Sequence, residues 1–568
     1  MGHLPLDPLL APSHVVVVGD ADAAPDADAE TTVLDPDVDP ATLPDADLAL
    51  VTSRSEIVAV VEALIDADVP AIVVTDDVPD RAWFDLVETA TAADVALLGP
   101  EASFARPVED IGAGLDESPD AGSVALVTED QATLAGLTAE GVRRSLGFSL
   151  LLATGRHPTA RAADAIETLE GDPATDVALV RPARIDRDFF ETARDCSPAL
   201  SLAVHAPNWS IADAPVPLGE DLLVRPAALR DATLAQAGVL TVDSVDRLLD
   251  LAPALAEQPL PDGDRVVIVS NAGGPGVMAT DAVGTSRLSM ADLADETVDA
   301  LEEVIPDRAF AQNPLDLLAD SDIEVFRGVL DAVLADPGVD AAVVISAPNP
   351  LFTFEELAEI VADARSRHES PVVTALMGGE STAAAAEHLR RVGIPNYFDP
   401  FQAVQVIAAL ADQRDAAARR RGERERAVAV SDLAVGRSAS DLLTAAGLPD
   451  DDVADGVSVS VAGSTIDTMG PIVAVGLTDH AAVLDDVAVR VAPIGTREAV
   501  AMLDDLRGAR LLKGARGTAA VDVDALAEAI ARIGAIVDGL EGVREVSATL
   551  RAGEDGIAID EASVDRHQ

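Results

Sequence analysis

The sequence predicts an α/β protein in which several parallel-sheet domains follow one another and a smaller α+β domain ends the chain. Short β-branched runs alternate with helical runs over most of the sequence, and its 568 residues exceed what one core can hold. Single cores stop growing at roughly 250 to 300 residues, so we expect roughly three or four domains. Strands that alternate with helices are typical of parallel sheets covered by helices.

Apolar runs in the first half of the chain define two such domains. The first domain extends over 1–120 and the second over 121–258, and apolar spacing at 56–67 predicts a helix within the first. Runs without polar alternation are expected of strands buried on both faces. The predicted strands are HVVVVGD at 14–20, DLALVTS at 47–53, AIVVTDD at 71–77, DVALLGP at 94–100, SVALVTE at 123–129, FSLLLATG at 148–155, DVALVRP at 176–182 and ALSLAVH at 199–205.

A Pro-rich break at 257–264 separates these domains from a third domain at 265–412. An Arg-rich linker at 413–430 and a fourth domain at 431–568 complete the predicted organisation. Strands of the third domain are expected at 266–269, 341–348 and 371–379.

The charge balance points to the solvent and not to a partner. Acidic residues number 100 against 39 basic ones, the formal net charge is −61, and Lys513 is the only lysine. Concentrated salt shortens the Debye length to roughly 3 Å at 1 M and screens such self-repulsion. We therefore expect a haloarchaeal type of adaptation to salt. No basic stripe with interleaved aromatic residues is present, which disfavours nucleic-acid binding.

Cysteine, histidine and hydropathy patterns exclude several classes of protein. Cys196 is the only cysteine, so one chain cannot form a disulfide, and the eight histidines show no metal-ligand spacing. No apolar run approaches the roughly 20 residues of a membrane helix, and no signal sequence is recognisable. We expect no metal site, no membrane partner and a cytoplasmic protein.

A glycine turn between a predicted strand and a predicted helix is the strongest candidate site. Glycines at such a turn let backbone N–H groups approach a ligand, and a helix N-terminus favours negative charge. An Asn-Pro-Leu-Asp segment follows some forty residues later. The candidate phosphate-ligand residues are Asn271, Gly273, Gly274, Gly276, Asn313 and Asp316.

This turn and Asn313-Pro314-Leu315-Asp316 resemble the ligase domain of NDP-forming acyl-CoA synthetases, the ADP-forming acetate–CoA ligases related to succinyl-CoA ligase. The resemblance implies a CoA-binding-like Rossmann domain at 1–120 and flavodoxin-type domains at 121–258 (succinyl-CoA-ligase-like) and 265–412 (ligase-CoA-like). It also implies a truncated ATP-grasp-like domain at 431–568. The implied reaction forms acyl-CoA, NDP and phosphate from an acid, CoA and NTP. CoA, ATP and Mg²⁺ are thus implied by the family alone.

Several of the family's functional segments are altered in the first two domains. Gly19 is followed by an acidic loop where the family admits CoA, and the family's GPN motif reads Gly99-Pro100-Glu101. The segment 128–131, Thr-Glu-Asp-Gln, replaces the Ser-Gln-Ser-Gly turn that holds the phosphohistidine. We predict that its acidic side chains cap the following helix. The acidic loop contains Asp20, Asp22, Asp26 and Asp28.

The histidine that carries phosphate in the family has no clear counterpart. Gln236-Ala237-Gly238-Val239 matches the end of the helix that follows it, and counting back without gaps puts Gly219 at its position. No histidine lies between His205 and His368. We therefore name no catalytic residue, and His205 remains the only nearby candidate.

The fourth domain resembles the distal half of an ATP-grasp domain. The segment before Gly470 is too short for a lysine-bearing lid, Ala482 replaces a magnesium-binding acid, and Ser547 to Leu550 replace Asp-x-Asn-Pro. The matching residues are Gly470, Gly476, Asp486, Arg490, Pro493, Gly514, Arg516 and Gly517. Candidate nucleotide contacts are Arg490, Lys513 and Arg516.

These changes make it uncertain whether the chain is an enzyme, and three hypotheses follow. The chain is a non-catalytic scaffold or regulatory paralogue that assembles with itself or with an active homologue. Alternatively, it is an ADP-forming acetate/acyl–CoA ligase completed by a partner subunit. A third hypothesis is a phosphate-ligand or nucleotide sensor that uses the turn at 271–276.

Overall fold

The computed structural model describes residues 4, 6–19, 30–35, 44–52, 56–115, 119–197, 199–206, 215–219, 222–422, 438–448, 453, 455–478, 486–515 and 519–566. The chain divides into two compact units. Unit one comprises Met1–Ala183, Cys196–Ala206 and Val242–Ala417, and unit two comprises Arg184–Asp195, Pro207–Thr241 and Ala418–Gln568. Within the described ranges, no helix combines the length and the apolar character needed to span a membrane.

The first sheet of unit one is parallel, with strand order β2-β1-β3-β4-β5. Its central strands are fully buried because helices supply apolar side chains such as Val61, Leu64 and Trp83 to a shared core. The strands are β1 (His14–Val18), β2 (Glu30–Leu34), β3 (Leu48–Val51), β4 (Ala71–Val74) and β5 (Ala96–Leu98). The helices are α1 (Asp7–Leu10), α2 (Ile57–Asp66) and α3 (Asp80–Ala92).

The second sheet contains seven strands in the order β14-β11-β10-β8-β9-β6-β7. Strands β11, β10, β8 and β9 are parallel, whereas β6 pairs antiparallel with both β9 and β7. Thus β6 and β7 belong to this sheet although they precede residue 120. The strands are β6 (Ser103–Arg106), β7 (Ile111–Ala113), β8 (Ala121–Thr128), β9 (Phe148–Ala153), β10 (Val177–Val180), β11 (Ser201–His205) and β14 (Leu240–Val242). The helices are α4 (Gln131–Arg143), α5 (Ala162–Glu170) and α8 (Val245–Glu257).

The third sheet is parallel, in the order β16-β15-β18-β19-β20, with β17 paired to β15. The helix that follows β20 continues to Gly422 and so includes the beginning of the expected Arg-rich linker. The strands are β15 (Arg265–Ser270), β16 (Ser289–Met290), β17 (Leu315–Asp316), β18 (Ala341–Ser346), β19 (Val372–Leu376) and β20 (Asn396–Tyr397). The helices are α9 (Gly273–Gly284), α10 (Asp295–Val304), α11 (Ile323–Leu334), α12 (Phe354–Arg367), α13 (Ala383–Arg391) and α14 (Pro400–Gly422).

Unit two is built on an antiparallel sheet in the order β23-β22-β21-β24-β25. Val459, Val461 and Leu550 alternate onto one face and pack against a long apolar helix, α18. The strands are β21 (Val457–Ile466), β22 (Gly470–Leu477), β23 (Val487–Val491), β24 (Val543–Gly553) and β25 (Gly556–Arg566). The helices are α15 (Ala439–Ala445), α16 (Thr496–Asp505), α17 (Ala509–Leu512) and α18 (Val523–Gly539).

Earlier segments of the chain complete unit two. A short antiparallel hairpin pairs Val216 with Val224 and Leu218 with Leu222, and its strands contact the sheet. These earlier elements are α6 (Arg187–Cys196), β12 (Val216–Leu218), β13 (Leu222–Val224) and α7 (Pro226–Gln236). The predicted fold class, tandem α/β domains with parallel sheets followed by an α+β domain, is confirmed.

A buried ion pair joins β6 to the segment between α5 and β10. Arg106 forms a bidentate pair with Asp172 at 2.8 Å, and both side chains are almost fully buried. Arg106 also donates to the carbonyl of Ser149, and Thr175 Oγ1 donates to Asp172. Burial raises the pKa of Asp172, but these hydrogen bonds outweigh burial and the net effect lowers its pKa.

We expect Asp172→Asn to lower the free energy of unfolding of unit one by about 3 kcal/mol, because a buried guanidinium loses its counter-charge. Urea unfolding in molar KCl measures the change. Since the pKa of Asp172 is lowered in the folded state, its contribution is present above the pKa of an unfolded aspartate. The difference between the two proteins therefore shrinks as the pH falls below about 4. Asp331→Asn, which breaks an exposed pair with Arg367, is the control and leaves the unfolding midpoint unchanged. Equal effects of the two variants would contradict the argument.

Candidate functional site

The glycine turn lies where β15 ends and α9 begins, at the carboxyl edge of the third sheet. Ser270 Oγ accepts the N–H of Ala272 at 3.0 Å and donates to its carbonyl at 2.8 Å, which fixes the residue before the helix. The buried Asn271 side chain donates to the carbonyl of Ala347 and accepts its N–H, at 3.0 and 2.9 Å. Asn271 therefore joins the turn to the loop after β18, and its amide is already committed.

Asn313 has a similar supporting role beneath the turn. Its Oδ1 accepts the N–H of Ile268 at 3.0 Å, and its Nδ2 donates to the carbonyls of Val266 and Ala291 at 2.8 and 3.1 Å. This side chain completes the hydrogen bonding of β15 next to the short strands β16 and β17. Of the predicted site residues, Asp316 lies against Gly273 and Asn271 holds the turn itself, whereas Asn313 holds the strand that leads into the turn.

Asp316 is the charged group nearest to the first turn of α9. Its Oδ1 accepts the N–H of Leu318 at 3.0 Å. Its Oδ2 lies only 2.7 Å from the point that a Cβ on Gly273 would occupy, so Gly273 has to be glycine for the carboxylate to approach. A carboxylate beside a helix N-terminus is stabilised by the macrodipole and also repels an incoming anion.

Gly274 is the open part of the site. A Cβ built at Gly274 meets no heavy atom within 4 Å, while the N–H of Gly276 already donates to Ala272 at 3.2 Å. Of these glycines, Gly274 is exposed and is therefore the one that a solvent-borne anion can approach.

Exposed apolar side chains lie on α9 and on loops of the third sheet, and we did not predict them from the sequence. Val277 and Met278 follow the turn, Phe310 precedes Asn313, and Leu351 lies in the loop after β18. Phe310 is 79% exposed in a chain with only 2% aromatic residues. The sequence did carry a signal of this exposure, because the adjacent apolar residues Val277 and Met278 break the amphipathic pattern of α9. The same pattern is also expected where a helix begins inside a core, so it did not single out an exposed surface.

The turn at 128–131 caps α4, as predicted. Asp130 is the N-cap residue, and its carboxylate accepts the N–H of Thr133 at 2.7 Å. Arg181 Nη1 approaches the same carboxylate at 3.5 Å. A phosphate that approached this helix N-terminus would therefore meet the negative charge of Asp130.

Carboxylates also surround the arginine nearest to Gly99-Pro100-Glu101. Arg156 pairs with Asp77, with Glu101 at 3.1 Å and with Asp80 at 3.7 Å. This guanidinium is neutralised within the chain and does not present a phosphate contact to CoA. The acidic loop after Gly19, with Asp20, Asp22, Asp26 and Asp28, lies outside the described residues.

Gly219 follows β12, where the hairpin turns. Its N–H donates to Glu545 Oε1 at 3.0 Å, and its φ is +60°. A Cβ at this position would lie 2.8 Å from Ser547 Cβ, so no side chain fits here without movement of β24. Ser547, Ala548 and Thr549 are strand residues of β24. His205, the alternative candidate, ends β11 in unit one.

The predicted nucleotide contacts divide into three cases. Arg490 is buried and pairs with Glu498 and Asp505 of α16; burial disfavours its charged form, but these two carboxylates outweigh burial and raise its pKa. Lys513 is exposed and pairs with Asp504 at 2.8 Å. Arg516 and Ala482 lie outside the described residues. Asp486 accepts the N–H groups of Arg507 and Gly508, so it is a structural cap.

The described part of unit two does not fit a magnesium–nucleotide site. Among the residues that the structure describes, no group of three histidine, cysteine, aspartate or glutamate side chains is arranged to hold a metal ion. The described cations Arg490 and Lys513 are already neutralised by carboxylates. We therefore route no chemical step through a nucleotide bound here.

Comparison with known proteins gives matches over most of the chain. Three protein-family models match: a succinyl-CoA ligase like flavodoxin domain over residues 121–255, a ligase-CoA domain over 266–421 and an ATP-grasp domain over 450–561. An acetate–CoA ligase [ADP-forming] I of Archaeoglobus fulgidus is 26% identical over 79% of this chain and 78% of its own length. These matches support the family of ADP-forming acetate/acyl-CoA ligases for this chain.

Further relatives differ in how much of their length this chain spans. Subunit alpha of acetate–CoA ligase [ADP-forming] II of Pyrococcus furiosus is 29% identical over 58% of this chain and 74% of that subunit. A 4-hydroxybutyrate–CoA ligase [ADP-forming] of Nitrosopumilus maritimus is 27% identical over 52% of this chain, which spans only 43% of that protein.

A solved structure agrees with the fold. The apo form of the dinucleotide forming acetyl-coenzyme A synthetase 1 of Candidatus Korarchaeum cryptofilum has a TM-score of 0.66 at 20% identity. The matched region covers 73% of this chain and 99% of the chain in that structure. The comparisons support the family, but they do not support the degenerate haloarchaeal form that we expected from composition. They also favour the ligase alternative over the hypothesis of lost catalysis.

At the glycine turn, we expect Gly273→Ala to lower the free energy of unfolding by about 1 kcal/mol, because the new methyl group displaces Asp316 from its bond to Leu318. Gly274→Ala, in open space, is neutral or stabilises by up to about 0.5 kcal/mol, since alanine reduces the entropy of the unfolded chain. Urea unfolding measures both variants. Adding Asp316→Ala should remove most of the cost of Gly273→Ala, and strict additivity of the two changes would contradict the proposed contact.

In unit two, we expect Arg490→Met to lower the free energy of unfolding by about 3 kcal/mol or more, because Glu498 would be left buried without a counter-charge. Lys513→Met, which breaks an exposed pair, should leave the unfolding midpoint unchanged. Parallel titration of Mg·ATP distinguishes structure from ligand binding. Loss of nucleotide affinity in Arg490→Met with no change in stability would contradict the structural role.

Proposed function

We propose that this chain is a subunit of an ADP-forming acid–CoA ligase whose phosphate-carrying histidine and nucleotide site come from a partner subunit. The observation that carries the proposal is the contrast between two sites of the chain. The glycine turn of unit one keeps an approachable helix N-terminus at Gly274, whereas Gly219 takes the histidine's position in unit two and has no room for a side chain.

The proposed reaction converts an acid, CoA and ATP into acyl-CoA, ADP and phosphate. CoA, when bound, supplies the thiol that accepts the acyl group. The residues of this chain act on the phosphorylated group of the partner: backbone N–H groups at Gly273 and Gly274 stabilise its negative charge at the start of α9. Asn271 and Asn313 hold the turn in this geometry through their bonds to Ala347 and β15.

The names of the relatives support a partner subunit. The Pyrococcus furiosus proteins that match this chain include subunits named alpha and beta of ADP-forming acetate–CoA ligases. The partner would be a homologue that carries the histidine and a complete ATP-grasp domain, and the two chains would form a hetero-oligomer. Copies of this chain could contact one another in the same assembly.

One observation favours the second candidate, a scaffold or regulatory subunit without a role in the chemistry. Asp316 already places a negative charge beside the first turn of α9, and this charge opposes an incoming phosphate. In that case the chain would bind its partner and change the partner's activity, and the charge at the open N-terminus would not matter for acyl-CoA formation.

The test is formation of acetyl-CoA from acetate, CoA and Mg·ATP in molar KCl, measured as ADP release. The assay compares this chain alone, the histidine-bearing homologue alone, and both together. We expect no turnover by this chain alone and at least about tenfold more turnover by the mixture than by the homologue, a change of 1.4 kcal/mol in the barrier.

Matched glycine variants on one helix make the test specific. Gly274 and Gly284 both have open surroundings but lie at opposite ends of α9. Gly274→Asp places a like charge at the proposed anion site and should abolish the gain, while Gly284→Asp should keep it. Equal gains with both variants would leave the scaffold role as the explanation, and turnover by this chain alone would overturn the need for a partner.

A further inference from the structure

One face of the unit-two sheet is lined by hydroxyl groups. On this face β21, β24 and β25 align Ser460 with Thr549 and Glu561, and Ala462 with Ser547 and Ser563. Ser547 Oγ and Ser563 Oγ are 2.7 Å apart, and a cleft of about 350 Å³ lies along these rows. The opposite face is occupied by α18, so this polar face is the one that a ligand would have to reach.

The hairpin of β12 and β13 lies on this polar face. Leu218 and Leu222 line the cleft together with the hydroxyl rows, and both side chains are almost fully buried. Val224 is buried as well, whereas Leu223, which lies between Leu222 and Val224, is exposed. This alternation is that of a strand with one face packed on the sheet, and contacts extend to β21, β22 and β23. The hairpin is therefore part of the packing of unit two.

Gly219, which directly follows β12, is held by a specific contact. The N–H of Gly219 donates to Glu545 Oε1 at 3.0 Å, and a Cβ at Gly219 would approach Ser547 Cβ to 2.8 Å. Backbone and strand are thus in direct contact, with no space for a side chain between them. A charged acceptor strengthens the bond relative to one between neutral groups.

The segment after the hairpin is held to the same sheet. In α7, Gln236 donates to the carbonyl of Val491 at 2.9 Å and accepts its N–H at 2.8 Å. These two hydrogen bonds pair the Gln236 side chain with the backbone of Val491 in the edge strand β23, as a neighbouring strand would. Both the turn and the following helix are therefore anchored to unit two.

We propose that the hairpin of β12 and β13 is a fixed cover on the polar face of the unit-two sheet, and that the bond between Gly219 and Glu545 is its latch. A ligand that bound above Ser547 would have to displace the cover, because the backbone of Gly219 approaches that side chain too closely for another group to lie between them. The inference does not depend on whether the chain takes part in a ligase reaction.

Hydrogen exchange on the full-length protein, followed by mass spectrometry in molar KCl, tests the cover. We expect the amides of Gly219, Leu222 and Val224 to exchange slowly in the wild type and at least about tenfold faster in Glu545→Ala, because the latch is lost. Glu561→Ala is the matched control, since Glu561 lines the same cleft and makes no hydrogen bond to the described hairpin residues. This control should exchange like the wild type.

Two further measurements keep the test decisive. The amides of α18 report whether unit two stays folded; if Glu545→Ala unfolds it, Glu545→Gln, which keeps an acceptor oxygen, replaces it and should exchange less than threefold faster than the wild type. Addition of Mg·ATP should leave exchange of the wild-type hairpin and of Ser547 and Thr549 unchanged. Hairpin amides that exchange as fast as an unstructured peptide, or β24 amides that Mg·ATP protects in the wild type, would overturn the proposal.

Discussion

The rest of the structure depends on one constraint. The chain's own carboxylates pair with the groups that could bind a phosphate. Asp130 accepts a backbone N–H at the start of α4, Glu545 accepts the N–H of Gly219, and Asp316 lies against Gly273. Backbone N–H groups and helix N-termini stabilise negative charge from any source. In a chain with a formal net charge of −61, the nearest source is another part of the same chain.

This constraint has different consequences in the two units. In unit two the carboxylate bond and the packing of Leu218 and Leu222 hold the hairpin over part of the polar face of the sheet. In unit one Asp316 approaches one residue of the turn and leaves Gly274 in open space. Val277 on α9 and Phe310 in the segment before Asn313 are also exposed. Among the described candidate sites, the carboxyl edge of the third sheet is therefore the one that stays open to another molecule.

Residue type alone could not separate ligand contacts from structural contacts at these sites. Asn271 and Asn313 carry the polar groups of a phosphate site, yet each amide bonds to backbone atoms of a neighbouring strand or loop. Arg490 has the position of a nucleotide contact, but α16 places Glu498 and Asp505 beside it. An amide or guanidinium group serves either purpose, and the choice depends on which acceptors the fold brings within about 3 Å.

The sequence by itself determined the order of sheets, the cap at Asp130, the glycine turn and the absence of a histidine at position 219, because these follow from local periodicity, capping and residue identity. Only the tertiary structure decided that β6 and β7 join the second sheet, and that Gly219 meets Glu545 across 326 residues. It likewise decided that Ser547 leaves no room at Gly219. Such contacts join segments far apart in the chain, so they arise from packing, which no local pattern records.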